Sequence, residues 1–467
     1  MLPTKIVVIG AGSASFGENT LAAILRSTKL RGSRLALVDH NAHSLEIVGR
    51  LAERMNREWG AQLSLSLHSH HKDALPGAEF VISAIEVGPR EALWRSDYEI
   101  PLKYGLRQPY AENGGPGGFA HTARNIGPIL EIARDMEGAC PQAWLINFTN
   151  PMVRICDTVH RYSRVKVVGL CHQILIGYCM VGMALSQDLG IEVPAEITGM
   201  ETDPRLIPLR RQFVKQVLPR LEIEAAGLNH FTWVLAIRDR QTGADLYPLF
   251  RHRWAELDPR FEPLTRRVFD AFGLFPVPGD SHLCEYLPWV SDPVTKPWEK
   301  YHLHLYDWED WAGRREQGLA RLQAMSAGKL PLDSLLEADS EGALEIIESL
   351  ITGNPHQHLA ANLPNQGQIP NLPAGAIVET PVVIDAEGIH PAVVPALPEG
   401  IAELLRREIA VGQLNVDAVV AGDRRLALQC LLLDPVVRDL EVAGQILEDY
   451  LLAYKNYLPQ FCEEVKG

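Results

Sequence analysis

Cys171-His172 lies 20 residues after Asn150-Pro151 and 58 before the Asn229-His230 pair. A thiolate from Cys171 and a neutral imidazole from His230 would leave several positions of a divalent ion open, as a catalytic rather than a structural metal site does. Substrate oxygens can then complete the shell. Taken singly, a Cys or His in an apolar stretch is more often a core residue. What favours a ligand pair is the segment that precedes them.

That segment is a nucleotide-binding turn. Lys5–Ile9 is a continuous apolar strand that runs into Gly10-Ala11-Gly12-Ser13-Ala14-Ser15-Phe16 and then a helix through Asn19–Leu25. Such a strand, turn and helix cradle a pyrophosphate at the helix N-terminus. Gly10 permits the tight turn, Gly12 lets the backbone approach the phosphates, and Ser13 and Phe16 complete the cofactor-binding set, while Ser15 stands where a third glycine is usual. The next strand, Arg34–Asp39, ends in a carboxylate suited to a ribose 2′-hydroxyl, so Asp39 favours NAD over NADP.

Further strands are expected over 79–85, 143–148 and 167–173, alternating with helical stretches, which implies an α/β fold with a Rossmann-type parallel sheet. Cys171 then falls at the carboxyl edge of the sheet, where ligands of open α/β sheets bind. At 467 residues the chain is long for one domain. We expect an NAD-binding domain over 1–195 and a C-terminal α+β substrate- and metal-binding catalytic domain over 196–467.

With 46% apolar and 22% charged residues the composition is that of an ordinary globular protein. The net charge of -14 argues against a nucleic-acid partner. Seven cysteines without a disulfide or zinc-type spacing, no leader and no bilayer-length apolar run suggest a cytoplasmic protein with no membrane partner.

The motifs in order resemble glycoside hydrolase family four, the NAD- and metal-dependent glycosidases. They are residues 10–16, the Gly115-Pro116-Gly117-Gly118 loop, Asn147-Phe148-Thr149-Asn150-Pro151, Cys171-His172, Gly227 to His230, and Pro364-Asn365-Gln366-Gly367 through Asn371-Leu372-Pro373. The resemblance implies a glycosidase in which NAD oxidises the sugar C3 hydroxyl, a base removes the acidified C2 proton, and the aglycone leaves by elimination. Water then adds and the hydride returns.

It also implies roles. Cys171 and His230 would hold Mn or another divalent ion, with Asn150 touching a substrate hydroxyl. His172 would protonate the leaving group. His282 stands best for the base, with Asp280 and Tyr286 as competitors, and Glu112 would hydrogen-bond and charge-stabilise His282. Asp280 is alternatively a helix cap, and His282 with Tyr286 alternatively core residues. A histidine after the metal cysteine points to an unphosphorylated glycoside, with an α linkage favoured. Arg124 or Arg95 would bind a carboxylate if the sugar were a uronide. Homodimers or homotetramers are expected.

Two other readings stand beside this one: a lactate- or malate-type dehydrogenase that needs no metal, and a nucleotide-sensing regulator without turnover. Elsewhere, His70-His71 and His356 with His358 read as solvated loops, residues 354–371 as a loop whose Asn365 and Gly367 reach the site, and residues 401–457 as amphipathic helices for packing or subunit contact.

Overall fold

The computed structural model describes residues 3–12, 17–108, 110–198, 206–303 and 307–461. Ser13 and Phe16 therefore lie outside the described residues.

The N-terminal half is a parallel sheet. Its strands are β1 (Lys5–Ile9), β2 (Arg34–Val38), β3 (Ser64–His68), β4 (Phe80–Ser83), β5 (Trp144–Asn147) and β6 (Lys166–Gly169). They stand side by side as β3-β2-β1-β4-β5-β6, all neighbours parallel. β1 and β4 are buried along nearly their whole length because helices cover both faces, which is why they read as uninterrupted apolar runs. The edge strand β3 alternates Leu with polar residues. The expected strand at 79–85 is thus the fourth.

The C-terminal half extends the same sheet. Its strands are β7 (Leu221–Leu228), β8 (Phe231–Asp239), β9 (Phe275–Pro276), β10 (His356–Pro364), β11 (Ile377–Asp385) and β12 (Gly388–Pro391). β10 docks antiparallel on β6 through Asn362 and Gly169, and the order continues β11-β7-β8-β9, with β12 on the far end of β11. The loop expected over 354–371 is a strand for half its length. Its polar residues disguise it: Asn362 is fully buried between β6 and β11, where its amide donates to Gly169 O and Glu379.

Three features place the site. The helix Gln173–Leu189 follows Cys171 directly and is apolar on nearly every side, so it is buried under the helix Ile207–Val217 and stops at Gly190, with φ of 65°. The Gly-Pro-Gly-Gly segment is the first turn of a long helix, Gly115–Ala139, rather than a loop. The closing helices Glu399–Ala421, Arg424–Leu433 and Leu440–Ala453 pack behind that helix, sharing an apolar core that includes Phe119, Val416 and Tyr450. No helix among the described residues is long and apolar enough to cross a membrane.

Candidate active site

A cleft of about 1590 Å³ runs along the carboxyl edge of the parallel strands, lined at one end by Gly10, Gly12 and Asp39 and at the other by Asn150, Cys171, His172, His230 and His282. The first end fits a dinucleotide. Gly10 has φ of +83°, and a Cβ there would fall 2.3 Å from Ala84 O. A Cβ on Gly12 would meet Asp39 Oδ2 at 2.7 Å. Asp39 accepts from the backbone N–H of Gly12 at 2.8 Å and of Asn41 at 2.8 Å, which fixes its carboxylate at the rim of the cleft.

At the other end Cys171 Sγ lies 3.6 Å from His230 Nε2. Two tetrahedral ligands at zinc-like bond lengths would stand about 3.6 Å apart, so the pair has the separation of atoms that share one divalent ion. Burial pushes the Cys171 thiol up to about 12, with the Glu379 and Glu341 charges adding to it. Burial, then the charges of His282 and His172, hold His230 well below the usual histidine range, so its ring is neutral. His230 Nδ1 and Asn150 Oδ1 are buried without a hydrogen-bond partner among the described residues. With Nε2 turned to the metal position, Nδ1 of a neutral His230 is an unspent donor and Asn150 Oδ1 an unspent acceptor, and the acceptor is what a sugar hydroxyl would engage.

The backbone sets up this pair. Cys171 follows β6, and Asn229-His230 form the two-residue turn between β7 and β8, closed by the pairing of Leu228 with Phe231. His230 adopts φ of 63°, a left-handed conformation that only surrounding structure can impose on a histidine. Glu379 supplies that surrounding: its buried carboxylate accepts from Asn229 Nδ2 at 2.9 Å and from Thr232 Oγ1 at 2.7 Å.

Two further imidazoles flank it. The His282 ring stacks on His230 with centroids 4.3 Å apart and meets Tyr110 edge-on at 5.2 Å. Its Nδ1 lies 2.8 Å from Glu285 Oε1, and although burial opposes it, the hydrogen bond and charge of Glu285 raise His282 above the usual histidine value. His172, its side chain 48% exposed to the cleft, has Nδ1 3.1 Å from Glu341 Oε1. Glu341 raises His172 and is itself lowered, the His172 and Arg211 charges outweighing burial.

Several expectations are corrected here. The expected Glu112–His282 hydrogen bond is replaced by Glu285–His282, while the expected charge effect is present, the Glu112 carboxylate adding to Glu285 in raising His282. Glu112 instead accepts from Asn150 Nδ2 at 3.1 Å, with Arg90 at 3.7 Å. Asp280 lines the cleft, but its two oxygens cap the helix Pro263–Phe272 through Leu264 N at 2.9 Å and Thr265 N at 2.7 Å. It is a cap, although of the neighbouring helix and not its own. Tyr286 stacks on Phe231, is buried, and does not line the cleft.

Arg124 forms a buried two-pronged pair with Asp97, at 2.7 and 2.6 Å, Arg95 pairs on the surface with Glu99 at 2.8 Å, and neither lines the cleft. Asn365 ties its own loop together through Ile369 O and Leu372 O. Neither it nor Gly367 lines the cleft. His71 is buried and lies 2.7 Å from Asp135, while His358 sits on β10 against Gly342, pushed down to about 4 by burial; both are packed rather than solvated.

Family models agree with this geometry: the family 4 glycosyl hydrolase model matches residues 5–189 and the model of that family's C-terminal domain matches residues 225–437. The chain belongs to the family 4 glycosyl hydrolases, and it is a glycosidase. An α-glucosidase of Erwinia rhapontici is 33% identical over 96% of this chain and 97% of its own length. An α-galactosidase of Bacillus subtilis is 29% identical over 98% of this chain and 99% of its own. The fold matches that of a 6-phospho-β-glucosidase from Thermotoga maritima, solved with manganese, NAD+ and glucose-6-phosphate, with a TM-score of 0.78 at 21% identity over 97% of this chain and 99% of that one. The dehydrogenase and regulator readings fall with this membership.

Proposed function

We propose that the chain hydrolyses an unphosphorylated α-glycoside, with NAD and Mn as cofactors, by oxidation at sugar C3, deprotonation at C2, elimination, water addition and re-reduction. The observation that carries this reading is the Cys171–His230 pair at 3.6 Å with His282 stacked against it, in one cleft with Gly10, Gly12 and Asp39. NAD would lie along Gly10, Gly12 and Asp39, and Mn between Cys171 and His230. Bound there, they supply a hydride acceptor for C3 and a Lewis acid for the adjoining oxygens.

The chain's own residues do the rest. Asn150 offers Oδ1 to a sugar hydroxyl while Glu112 fixes its amide. His282 takes the C2 proton on Nε2, its Nδ1 being held by Glu285. His172, backed by Glu341, gives a proton to the departing oxygen. Histidine rather than an acid after Cys171 supports an unphosphorylated substrate, and the names of the α-glucosidase and α-galactosidase relatives support the α linkage. Arg124 and Arg95 lie off the cleft, whereas Arg90, Arg211 and Arg260 line it, so the choice between hexoside and uronide falls to the glycoside panel below. A cytoplasmic location belongs to the same reading, supported by six described cysteines that are all unpaired, and a homodimer or homotetramer is proposed with it on the family resemblance.

The test is incubation with NAD, Mn and reductant in deuterium oxide against p-nitrophenyl α- and β-glycosides, including uronides. The expected result is Mn-dependent cleavage of an α-glycoside with release of a sugar deuterated at C2. Cleavage without deuterium at C2, or NADH formation without cleavage, refutes the reading.

A further inference from the structure

Glu285 makes five hydrogen bonds beside the site and lies outside the motifs that carry the family resemblance. It is 2% exposed. Its Oε2 accepts three consecutive backbone N–H groups, from Glu112 at 3.0 Å, Asn113 at 2.6 Å and Gly114 at 3.1 Å. Its Oε1 faces Asn113 Nδ2 at 3.3 Å and His282 Nδ1 at 2.8 Å. Gly114 passes so close that a Cβ on it would fall 2.6 Å from Glu285 O.

Every other partner of these two oxygens is an N–H donor, so both oxygens act as acceptors. The Glu285–His282 hydrogen bond must therefore be donated by Nδ1–H. A neutral His282 then carries its lone pair on Nε2, away from Glu285. The stacking on His230 and the edge contact with Tyr110 oppose rotation of the ring out of this position.

We propose that Glu285 is a positioning residue for the reaction: its carboxylate fixes the Nδ1–H tautomer and orientation of His282 and ties that ring to the 112–114 segment, from which Glu112 holds Asn150. The proposal rests on His282 being the base. In that step the C2 proton passes to Nε2, the C–H electron pair stays on the sugar and delocalises into the C3 carbonyl, and the imidazolium cation faces Oε1. One carboxylate thus keeps the base and the hydroxyl-binding arm in register.

The kinetics use the full chain loaded with NAD and Mn, and the NMR uses the same chain with NAD and diamagnetic Mg, because Mn(II) would broaden away the signals of a ring stacked on a metal ligand. Nitrogen NMR of 15N-histidine-labelled enzyme, with His282 assigned by loss of its signals in His282→Asn, is expected to show a protonated Nδ1 and a bare Nε2. For Glu285→Gln we expect kcat to fall about 10- to 100-fold with KM within about twofold. The isotope effect for substrate deuterated at C2 should rise, and NADH should accumulate because C3 oxidation now outruns deprotonation.

An Nε2–H tautomer in the wild type overturns the proposal, and this readout stands even if the variant does not fold. An unchanged kcat also overturns it, as does a parallel loss of kcat and KM with an unchanged isotope effect, the pattern of a purely structural residue. Absence of C2 deuteration in the wild type is a different failure: it removes the base reading itself.

Discussion

Replacing Asn150 by Asp tests the arm that holds the substrate. In the structure the Asn150 amide donates to Glu112 Oε1 at 3.1 Å, and Glu112 is 7% exposed. Asn150→Asp removes the donor and sets a second carboxylate against the first. At 3.1 Å and an effective dielectric of about 20, two unit charges repel by roughly 5 kcal/mol. Arg90, 3.7 Å from the same oxygen, offsets part of this, yet even half is about a hundredfold in rate if the arm must keep its geometry. Asn150→Ala only deletes the hydrogen bonds and should cost about 1–2 kcal/mol, near tenfold. We therefore expect kcat/KM for a p-nitrophenyl α-glycoside at neutral pH to fall in the order wild type, Asn150→Ala, Asn150→Asp. Adding Glu112→Gln to Asn150→Asp restores one donor and one acceptor and should recover activity to at least the Ala level. If Asn150→Asp is no worse than Asn150→Ala, or Glu112→Gln fails to rescue it, the Asn150–Glu112 contact does not operate in the working enzyme.

Because Cys171 is a thiol up to about 12 while His230 is already neutral, metal binding should release one proton. The affinity for Mn, measured by titration calorimetry from pH 6 to 9, should then rise about tenfold per pH unit, and a slope near zero refutes the thiol assignment. Glu86 is held down to about 2: burial opposes ionisation, but the charge and hydrogen bond of buried His121 outweigh it, aided by Arg90. A folded value below the unfolded one contributes stability above pH 4.5 that is lost as the pH falls towards 2, and with the Glu86 side chain 29% exposed solvent screening keeps it to about 1 kcal/mol. The denaturation gap between wild type and Glu86→Gln should narrow from pH 6 to pH 3, and a constant gap would show that the charge is not responsible. Arg124→Met strands the buried Asp97 carboxylate and should destabilise the protein by about 3–5 kcal/mol without changing its preference between neutral and uronic α-glycosides. A changed preference would return Arg124 to the site.

The parallel half of the fold was legible because its strands are buried on both faces and so announce themselves as apolar runs between turn signals. β10 was not, because a strand inserted between two others through Asn362 and Gly169 hydrogen-bonds by side chain as well as by backbone and needs polar residues in its core positions. The helix at Gly115 was hidden for a related reason. Glycines that read as a loop are there for close approach: a Cβ on Gly118 would fall 2.6 Å from the backbone of Asn113.

In the site, the residues recognisable from sequence are those that would touch the metal, cofactor or sugar, because contiguous motifs such as Cys171-His172 and Asn150-Pro151 carry them. The residues that escaped are the carboxylates behind them. Glu285 and Glu341 each hold the Nδ1 of a histidine, and Glu379 holds the Asn229-His230 turn. Each lies in a segment that reads as ordinary helix, loop or strand. Only Glu285 had a local signal, its three-residue spacing from His282, and that spacing was obscured by Asp280 and Tyr286 on either side. The pattern has a physical cause. A ligand or base must be chemically distinctive, so its type and neighbours betray it, whereas the group that orients it needs only a buried oxygen at the right place, and many sequences can deliver one. The expected Glu112–His282 hydrogen bond failed on this point: the carboxylate at Nδ1 came from the turn after His282, while Glu112 went to Asn150 and acts on His282 through its charge alone.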